Sequence, residues 1–275
     1  MRREKIIWNV DNINRLWAYY ASLDMDGTNY FGYQAGMAIV HLCSFFVDNL
    51  QECEVLDYGS GMGHIIERFL DKKVNISGVD MSKEEVEIVN RKYSGNPYFH
   101  GVKLFDGKAL PFKDDNFSLI TCTECIEHIL PEHMDNLLDE LYRVLKPGGV
   151  ILFTTPNEEE LRKEEMCCPE CNTIFHKYGH VSTFSVKSLT GLIEKHNYET
   201  ILCATTDFLH IQRYLSKRPP LMDMTLRQIL TRIDRKRLRI LDWKHKKASD
   251  SKLFKKYITL NRRPHLFYVG AKSIR

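Results

Sequence analysis

Two carboxylates and an imidazole stand close together in the middle of this 275-residue chain, at Glu124, Glu127 and His128. They follow an apolar stretch that predicts a strand ending near Thr121. If residues 124–129 are helical, the three side chains share one face, because residues three and four apart are neighbours on a helix. Such a set suits a divalent ion such as Mg²⁺ or Mn²⁺. Two alternatives are a general base without a metal, at His128 or Glu124, and a pair that only orients the helix.

A second set of potential ligands lies further along the chain. Cys168, Cys171, His176 and His180 follow the spacing C-x2-C-x4-H-x3-H, which is close to that of zinc knuckles, and Cys167 offers a spare thiolate. Thiolate and imidazole ligands suit tetrahedral zinc. The segment therefore predicts a zinc site, and the alternative is a substrate loop with free thiols.

A glycine-rich turn indicates the element that positions these groups. An apolar run ends at Asp57, and glycines follow at Gly59, Gly61 and Gly63 before a helical pattern begins. This order predicts a strand, a tight turn and a helix, the opening unit of a doubly wound α/β sheet. A dinucleotide fingerprint would need its third glycine where His64 stands, which disfavours a nicotinamide-dependent oxidoreductase.

The same pattern of strand and acid recurs downstream. A second apolar strand, over 76–79, ends in Asp80, and a carboxylate at that place can accept hydrogen bonds from a ribose. Asp106 begins a turn with the sequence DGKALPF. Further strands are predicted at 116–120 and 150–154, with a helix over 141–149 that a proline and two glycines stop.

In this order, the motifs resemble those of the class I S-adenosylmethionine-dependent methyltransferases, over about residues 50–206 and a last strand at 265–272. The resemblance implies an α/β fold with a Rossmann-like seven-stranded sheet, its last strand antiparallel, and S-adenosyl-L-methionine as cofactor. It also implies contacts to the cofactor amine, methionine part, ribose and adenine. The residues expected to make them are Asp57, Gly59, Gly61, Gly63, Asp80 and Asp106.

The acidic cluster resembles that of Hen-type small-RNA 2′-O-methyltransferases and of ubiquinone-biosynthesis O-methyltransferases. In those families the cluster binds a divalent metal that holds two neighbouring hydroxyls. His180 matches a later histidine of the Hen type, so the implied metal ligands are Glu124, Glu127, His128 and His180. Glu124 and His128 are the implied catalytic residues. The divalent and zinc hypotheses therefore compete for His180.

Charge divides the chain unevenly. Residues 211–275 hold 19 Lys and Arg against 4 Asp and Glu, whereas the remainder holds 20 against 32. Within the basic part, 225–230 and 235–243 predict short amphipathic helices. This stretch suits an anionic partner, which would be a nucleic acid, a membrane surface or a phosphorylated carrier. The alternative is a solvated basic face that docks on the acidic remainder of the chain.

The predicted organisation has four parts. They are an aromatic-rich helical cap at 1–50, a methyltransferase core at 51–206 with the Cys/His loop at 166–180, a basic helical insert at 207–262, and the last core strand at 263–275. The sequence contains no apolar run of about 18 residues, so no membrane span is predicted. Eight cysteines without a signal-like leader predict a reducing, cytoplasmic location. Within the cap, Tyr30 and Tyr33 are candidate acceptor contacts.

From these features we predict a methyltransferase that acts on an oxygen of a sugar, a ribose or a small-molecule hydroxyl. The acceptor is accordingly a small molecule, a glycan or a nucleotide. The alternative from another class is a nucleic-acid-binding protein with a degenerate methyltransferase core.

Overall fold

The computed structural model describes residues 4–23, 28–216 and 264–274. The ten strands, numbered in chain order, are β1 Glu4–Lys5, β2 Glu54–Tyr58, β3 Asn75–Asp80, β4 Phe99–Leu104, β5 Phe117–Thr123, β6 Leu145–Pro156, β7 Glu165–Cys167, β8 Thr173–His176, β9 Tyr198–Thr206 and β10 His265–Lys272. The α-helices are α1 Val10–Leu23, α2 Phe31–Cys43, α3 His64–Leu70, α4 Lys83–Tyr93, α5 Pro131–Val144, α6 Val186–Glu194 and α7 Phe208–Ser216.

Seven of the strands form one sheet in the order β4-β3-β2-β5-β6-β10-β9. The pairs from β4 to β6 are parallel, whereas β10 runs antiparallel to both β6 and β9. This arrangement confirms the predicted Rossmann-like sheet and its antiparallel last strand. The carboxyl ends of β2, β3 and β5 meet at one edge, near the reversal of strand order, which is where open α/β sheets bind ligands.

The sheet is buried on both faces, and its strands are apolar for that reason. Val55 packs with one core cluster, which the helices α2, α3, α4 and α7 cover. The next residue, Leu56, packs with the opposite cluster under α5 and α6, because successive side chains point to opposite faces. The two helical layers therefore hold the strand ends, and the loops that follow them, in fixed positions.

The boundary between α5 and β6 differs from the prediction. The helix expected over 141–149 ends at Val144, and the strand begins at Leu145 instead of Val150. Pro147 explains why the helix cannot continue, because it lacks the amide hydrogen that would bond the Arg143 carbonyl and disfavours the helical conformation of Lys146 before it. Leu145 is already extended, with φ −78° and ψ 132°.

A small second sheet, in the order β1-β8-β7, contains much of the predicted Cys/His loop. It ties the start of the described chain to that loop through the parallel pairing of β1 with β8. The predicted amphipathic helices at 225–230 and 235–243 lie outside the described residues. No helix in the described part of the chain is long and apolar enough to cross a membrane.

Candidate active site

The glycine turn after β2 adopts the geometry that its composition predicts. Gly59, Gly61 and Gly63 all have positive φ, at 71°, 48° and 76°. L-residues with a side chain rarely adopt this conformation, whereas glycine does so readily. The backbone of the turn is fixed from below, because the amides of Gly59 and Ser60 donate to the Val79 carbonyl at 3.0 and 3.1 Å. The turn, called the glycine shelf below, is therefore a rigid and partly buried stretch of backbone between β2 and α3.

We expect Gly59→Ala to destabilise the fold by about 1–3 kcal/mol, through backbone strain at positive φ. The added Cβ would also lie 2.7 Å from the Cys125 Sγ atom. Gly191→Ala is the matched control, because Gly191 lies within α6 with no atom within 4 Å of an added Cβ. That substitution should stabilise the helix by about 0.5–1 kcal/mol. Thermal denaturation measures both, and equal midpoints for the two variants would contradict the argument.

Asp80 lies at the end of β3, and its carboxylate is hydrogen-bonded to the glycine turn. Its Oδ2 atom accepts from the Gly61 amide at 2.8 Å, and its Oδ1 atom accepts from the Ser82 amide at 2.9 Å. Burial raises the pKa of this carboxyl, while the amide hydrogen bonds from Ser82 and Gly61 lower it. A carboxylate held in this way keeps lone pairs for a ligand at the strand end.

The two other predicted cofactor acids occupy different environments. Asp57 is almost fully buried, and burial raises the pKa of its carboxyl to about 8. Its Oδ1 atom accepts from the Thr121 hydroxyl at 2.8 Å, while Oδ2 has no hydrogen-bond partner among the described residues. Asp106 is exposed in the loop after β4, where its Oδ1 atom accepts from the Lys108 amide at 3.1 Å. Asp57 is therefore available to a buried polar group, and Asp106 to a group at the surface.

Tyr30 covers the glycine turn from the side of the N-terminal helices. Its ring lies 3.2 Å from where a Cβ on Gly61 would be, and its hydroxyl donates to the Glu85 carboxylate at 2.5 Å. Burial raises the pKa of Glu85 to about 7, with a further contribution from Asp80. The predicted cap thus reaches the shelf through Tyr30.

The predicted helix over 124–129 does not form. Residues Ile126–His128 make one 3-10 turn, and α5 begins only at Pro131. Glu124 has a positive φ of 46°, a conformation outside any right-handed helix, with its amide donating to the Thr154 carbonyl at 3.0 Å. The turn nevertheless starts beside the glycine shelf, since Cys125 packs directly on Gly59.

The structure brings together three of the four residues predicted to bind a divalent metal. One ligand atom each from Glu127, His128 and His180 lies within 4.8 Å of the others. Glu124 is not part of this group. The loop carrying His180 is held in place by the backbone, because the amides of Val181 and Ser182 donate to the Glu127 carbonyl at 2.9 and 3.2 Å.

The electrostatics of this group are unusual for the interior of a protein. Glu127 is 1% exposed, and neither carboxylate oxygen has a hydrogen-bond partner among the described residues. Burial raises the pKa of Glu127 to about 7, an effect that His180 opposes. Burial, with the neighbouring His180, lowers the pKa of His128 to about 3. The site therefore holds an unpaired carboxylate beside an imidazole that is neutral at physiological pH.

The predicted zinc ligands are not gathered into one site. Cys168 and Cys171 lie at the turn of the β7–β8 hairpin, which Asn172 closes with a positive φ of 58°. His176 is at the far end of β8 and is 4% exposed. Among the described residues, no group of three potential ligands within 4.8 Å contains a cysteine. The reason is that β8 is extended and carries the chain about 3.3 Å per residue away from the thiols.

Two further residues, which were not predicted as site residues, lie beside the cluster. Trp17 of α1 packs edge-on against His128, with ring centroids 4.9 Å apart. Glu159, in the loop after β6, has its Oε2 atom 2.5 Å from Nδ1 of His180 and its Oε1 atom 3.6 Å from Nε2 of His176. The position of Glu159 just after the carboxyl end of a strand could have indicated a site residue. However, Glu158 and Glu160 on either side have the same side chain, so the sequence alone does not distinguish the three.

A family model described as a methyltransferase domain matches residues 10–202. This chain belongs to the methyltransferase domain family. The match confirms the resemblance seen in the motifs, and the strand order and glycine turn are those expected for the class I S-adenosylmethionine-dependent group.

Curated relatives of this methyltransferase cover only part of its length. An arsenite methyltransferase of Aquipseudomonas alcaligenes is 30% identical over 139 residues, which are 44% of this chain and 39% of the relative. The C-methyltransferase UbiE of Geobacter sulfurreducens is 32% identical over 117 residues, or 40% of this chain and 45% of the relative. The match thus spans less than half of either relative.

Solved structures support the fold over nearly the whole chain. A chain from the complex between the Haloferax volcanii Trm112 methyltransferase activator and a methyltransferase aligns with a TM-score of 0.60 at 17% identity, covering 95% of this chain and 97% of that one. A methyltransferase of Methanosarcina mazei aligns with a TM-score of 0.55 at 15% identity, covering 85% and 98%. At such identities the similarity concerns the fold, and the chemistry must be argued from the site.

Proposed function

We propose that this methyltransferase moves a methyl group from S-adenosylmethionine to a hydroxyl oxygen, with a divalent cation held by Glu127, His128 and His180. The observation that carries the proposal is the buried group of two imidazoles and one carboxylate that has no hydrogen-bond partner among the described residues. The group follows Cys125, which packs on Gly59 of the glycine shelf. The acceptor is a sugar, a ribose or another small molecule with a free hydroxyl.

The residues around the shelf fit the proposed cofactor. Backbone at Gly59, Gly61 and Gly63 is free of side chains and lets a ligand approach closely. Buried polar atoms without partners among the described residues, Asp57 Oδ2 and Ser60 Oγ, lie in the same turn region. Buried polar groups are normally hydrogen-bonded, so unpaired ones indicate a ligand. Asp80 offers acceptors for the ribose diol and Asp106 for the adenine edge.

The acceptor group likewise fits a cation. A carboxylate buried without a hydrogen-bond partner, beside the neutral imidazole of His128, is stabilised by a bound positive charge. A donor set of one oxygen and two nitrogens favours Mn²⁺ or Zn²⁺ over Mg²⁺, which prefers oxygen ligands alone. Zinc, if bound, would therefore be held by this group instead of the hairpin thiols.

The chemistry requires alignment more than bond activation. S-adenosylmethionine supplies a methyl group that is already activated, so the protein must bring the acceptor oxygen to about 3–3.5 Å from it. A bound dication would lower the pKa of the acceptor hydroxyl, which is otherwise too high for ready deprotonation. The rigid loop held by the Glu127 carbonyl would fix the acceptor relative to the shelf.

The relatives alone do not select oxygen as the methylated atom. The two relatives described above are an arsenite methyltransferase and a C-methyltransferase. A malonyl-acyl-carrier-protein O-methyltransferase of Enterobacter lignolyticus is 25% identical over 162 residues, which are 58% of this chain and 62% of that relative. Oxygen is favoured here because a hydroxyl, whose pKa is high, gains most from the lower pKa that a bound metal would give it. The basic stretch at 211–275 supports an acceptor that carries negative charge, such as a phosphorylated or nucleotide-linked sugar.

Metal removal tests the proposal. Methyl-labelled S-adenosylmethionine is incubated with a cell extract fractionated into RNA, glycans, lipids and small metabolites, and the labelled fraction is retained as substrate. Chelator treatment should then lower transfer by about 100-fold or more, with add-back of Mn²⁺ or Zn²⁺ restoring it. Calorimetry should show unchanged cofactor binding in the chelator. Full transfer without metal would overturn the metal-assisted mechanism, and labelling of a product at carbon or nitrogen would overturn the assignment to oxygen.

A further inference from the structure

We infer that Glu159, hydrogen-bonded to the ring of His180, and His176, hydrogen-bonded to its backbone amide, form a relay that fixes the tautomer of His180, so that its Nε2 atom is the metal ligand. Both would be positioning residues, acting through His180. The inference rests on the proposed function, because it concerns the same cation. It also decides between two overlapping groups of potential ligands, Glu127–His128–His180 and Glu159–His176–His180, each within 4.8 Å.

The argument starts at His176, whose ring is locked by the backbone. Its Nδ1 atom lies 3.1 Å from the amide nitrogen of His180. An amide N–H can only donate, so Nδ1 must accept and carries no proton. The proton of the neutral ring is then on Nε2, because neutral imidazole has one donor and one acceptor nitrogen. His176 therefore has no lone pair left for a metal.

The Glu159 carboxylate receives the next two contacts. Its Oε1 atom lies 3.6 Å from the protonated Nε2 of His176, and its Oε2 atom lies 2.5 Å from Nδ1 of His180. A carboxylate accepts, so Nδ1 of His180 is the donor. In the neutral form of the ring, which is the form that binds a metal, the lone pair of His180 is then on Nε2.

His128 is oriented by the same rule. Its Nδ1 atom faces the Gly179 carbonyl oxygen at 3.4 Å. A carbonyl can only accept, so Nδ1 carries the proton and Nε2 is free. Both imidazoles of the Glu127 group thus keep Nε2 for a cation, whereas in the Glu159 group Nδ1 of His176 accepts from a backbone amide and Nδ1 of His180 donates to Glu159. Metal-bound histidines commonly donate their second nitrogen to a carboxylate or carbonyl in this way.

Glu160, the next residue in the chain, provides a matched control for a test of Glu159. Glu159→Gln removes the charge that holds the Nδ1 proton, while Glu160→Gln removes the same charge one residue away, at an exposed position paired with Lys163. Mn²⁺ binding is measured by calorimetry on the full chain. We expect Glu159→Gln to weaken Mn²⁺ binding about 10- to 100-fold and Glu160→Gln to leave it within about twofold.

A variant of His176 separates the relay from a direct ligand role. His176→Asn keeps an acceptor near the position of Nδ1 but removes Nε2. The relay predicts a loss of Mn²⁺ affinity of about tenfold or less for this variant and an unchanged visible spectrum of bound Co²⁺. Loss of binding by more than about 100-fold, or a changed Co²⁺ spectrum, would show that His176 is a ligand and overturn the relay.

The outcomes also separate this inference from the proposed function. If the unaltered protein binds neither Mn²⁺, Zn²⁺ nor Co²⁺, the metal site itself fails. If it binds Mn²⁺ and Glu159→Gln binds it equally well, the metal site stands and the relay is refuted. A purely structural role for Glu159 would lower the unfolding midpoint of the metal-free protein and leave Mn²⁺ affinity of the folded protein unchanged, which also refutes the relay.

Discussion

An Asp80→Ala variant is expected to bind S-adenosylmethionine at least about 100-fold more weakly than the unaltered protein. Asp80 holds the amides of Gly61 and Ser82 and offers the remaining lone pairs at the strand end to a ribose. A hydrogen bond to a charged group contributes about 1.5–3 kcal/mol. Losing the two that Asp80 would accept from a ribose therefore weakens cofactor binding by about 100-fold or more. Isothermal calorimetry with S-adenosylmethionine and with S-adenosylhomocysteine measures the change.

Glu87→Ala is the control for this variant, because Glu87 is an exposed acid on α4 that pairs only loosely with Lys83, at 3.9 Å. It should bind the cofactor as the unaltered protein does. Binding by Asp80→Ala within about threefold of that level would contradict the ribose assignment. If the unaltered protein gives no heat with either ligand, the result favours the alternative of a nucleic-acid-binding protein with a degenerate methyltransferase core. Nucleic-acid binding that falls steeply with added salt would support that alternative.

Glu127→Gln is expected to lower methyl transfer by about 100- to 1000-fold while cofactor binding stays intact. The substitution keeps the shape of the side chain and removes the one carboxylate of the Glu127–His128–His180 group. The fold should tolerate it, because Val181 and Ser182 are bonded to the backbone carbonyl of Glu127 and not to its side chain. The loss would therefore report on the chemistry of the site.

Label transfer to the active extract fraction measures this effect, with calorimetry for the cofactor. Glu124→Gln provides the comparison, since burial and the charge of Glu127 raise the pKa of Glu124 but its carboxylate lies outside the ligand group. We expect Glu124→Gln to lose about tenfold or less. A larger loss for Glu124 than for Glu127 would return the catalytic role to Glu124, as the motif alone suggested.

The cofactor side of the molecule was predictable because its signals are local. A strand, three glycines and Asp80 encode a turn whose geometry depends on few other residues, and each of the three glycines does have positive φ. The seven-stranded sheet with an antiparallel last strand followed from the resemblance, and β10 is indeed antiparallel to both of its neighbours.

The acceptor side was less predictable because it depends on contacts between distant segments. Spacing alone suggested a helix at 124–129, but Glu124 takes a left-handed conformation where its amide meets Thr154 of the neighbouring strand. Spacing also joined His176 to the cysteines, whereas the extended β8 carries it to Glu159. Neither the backbone conformation of Glu124 nor the position of His176 beside Glu159 can be predicted from the local sequence pattern.

The antiparallel direction of β10 has a consequence for how such a protein can diversify. His265 enters the sheet opposite Pro156, and the Pro264 carbonyl accepts from the Asn157 amide at 2.8 Å, two residues before Glu159. The start of β10 thus lies beside the loop that carries Glu159, while the glycine turn is built between β2 and α3 on the other half of the sheet. Changes at the start of β10 can therefore alter the proposed acceptor side without redesigning the turn that would hold the methyl donor.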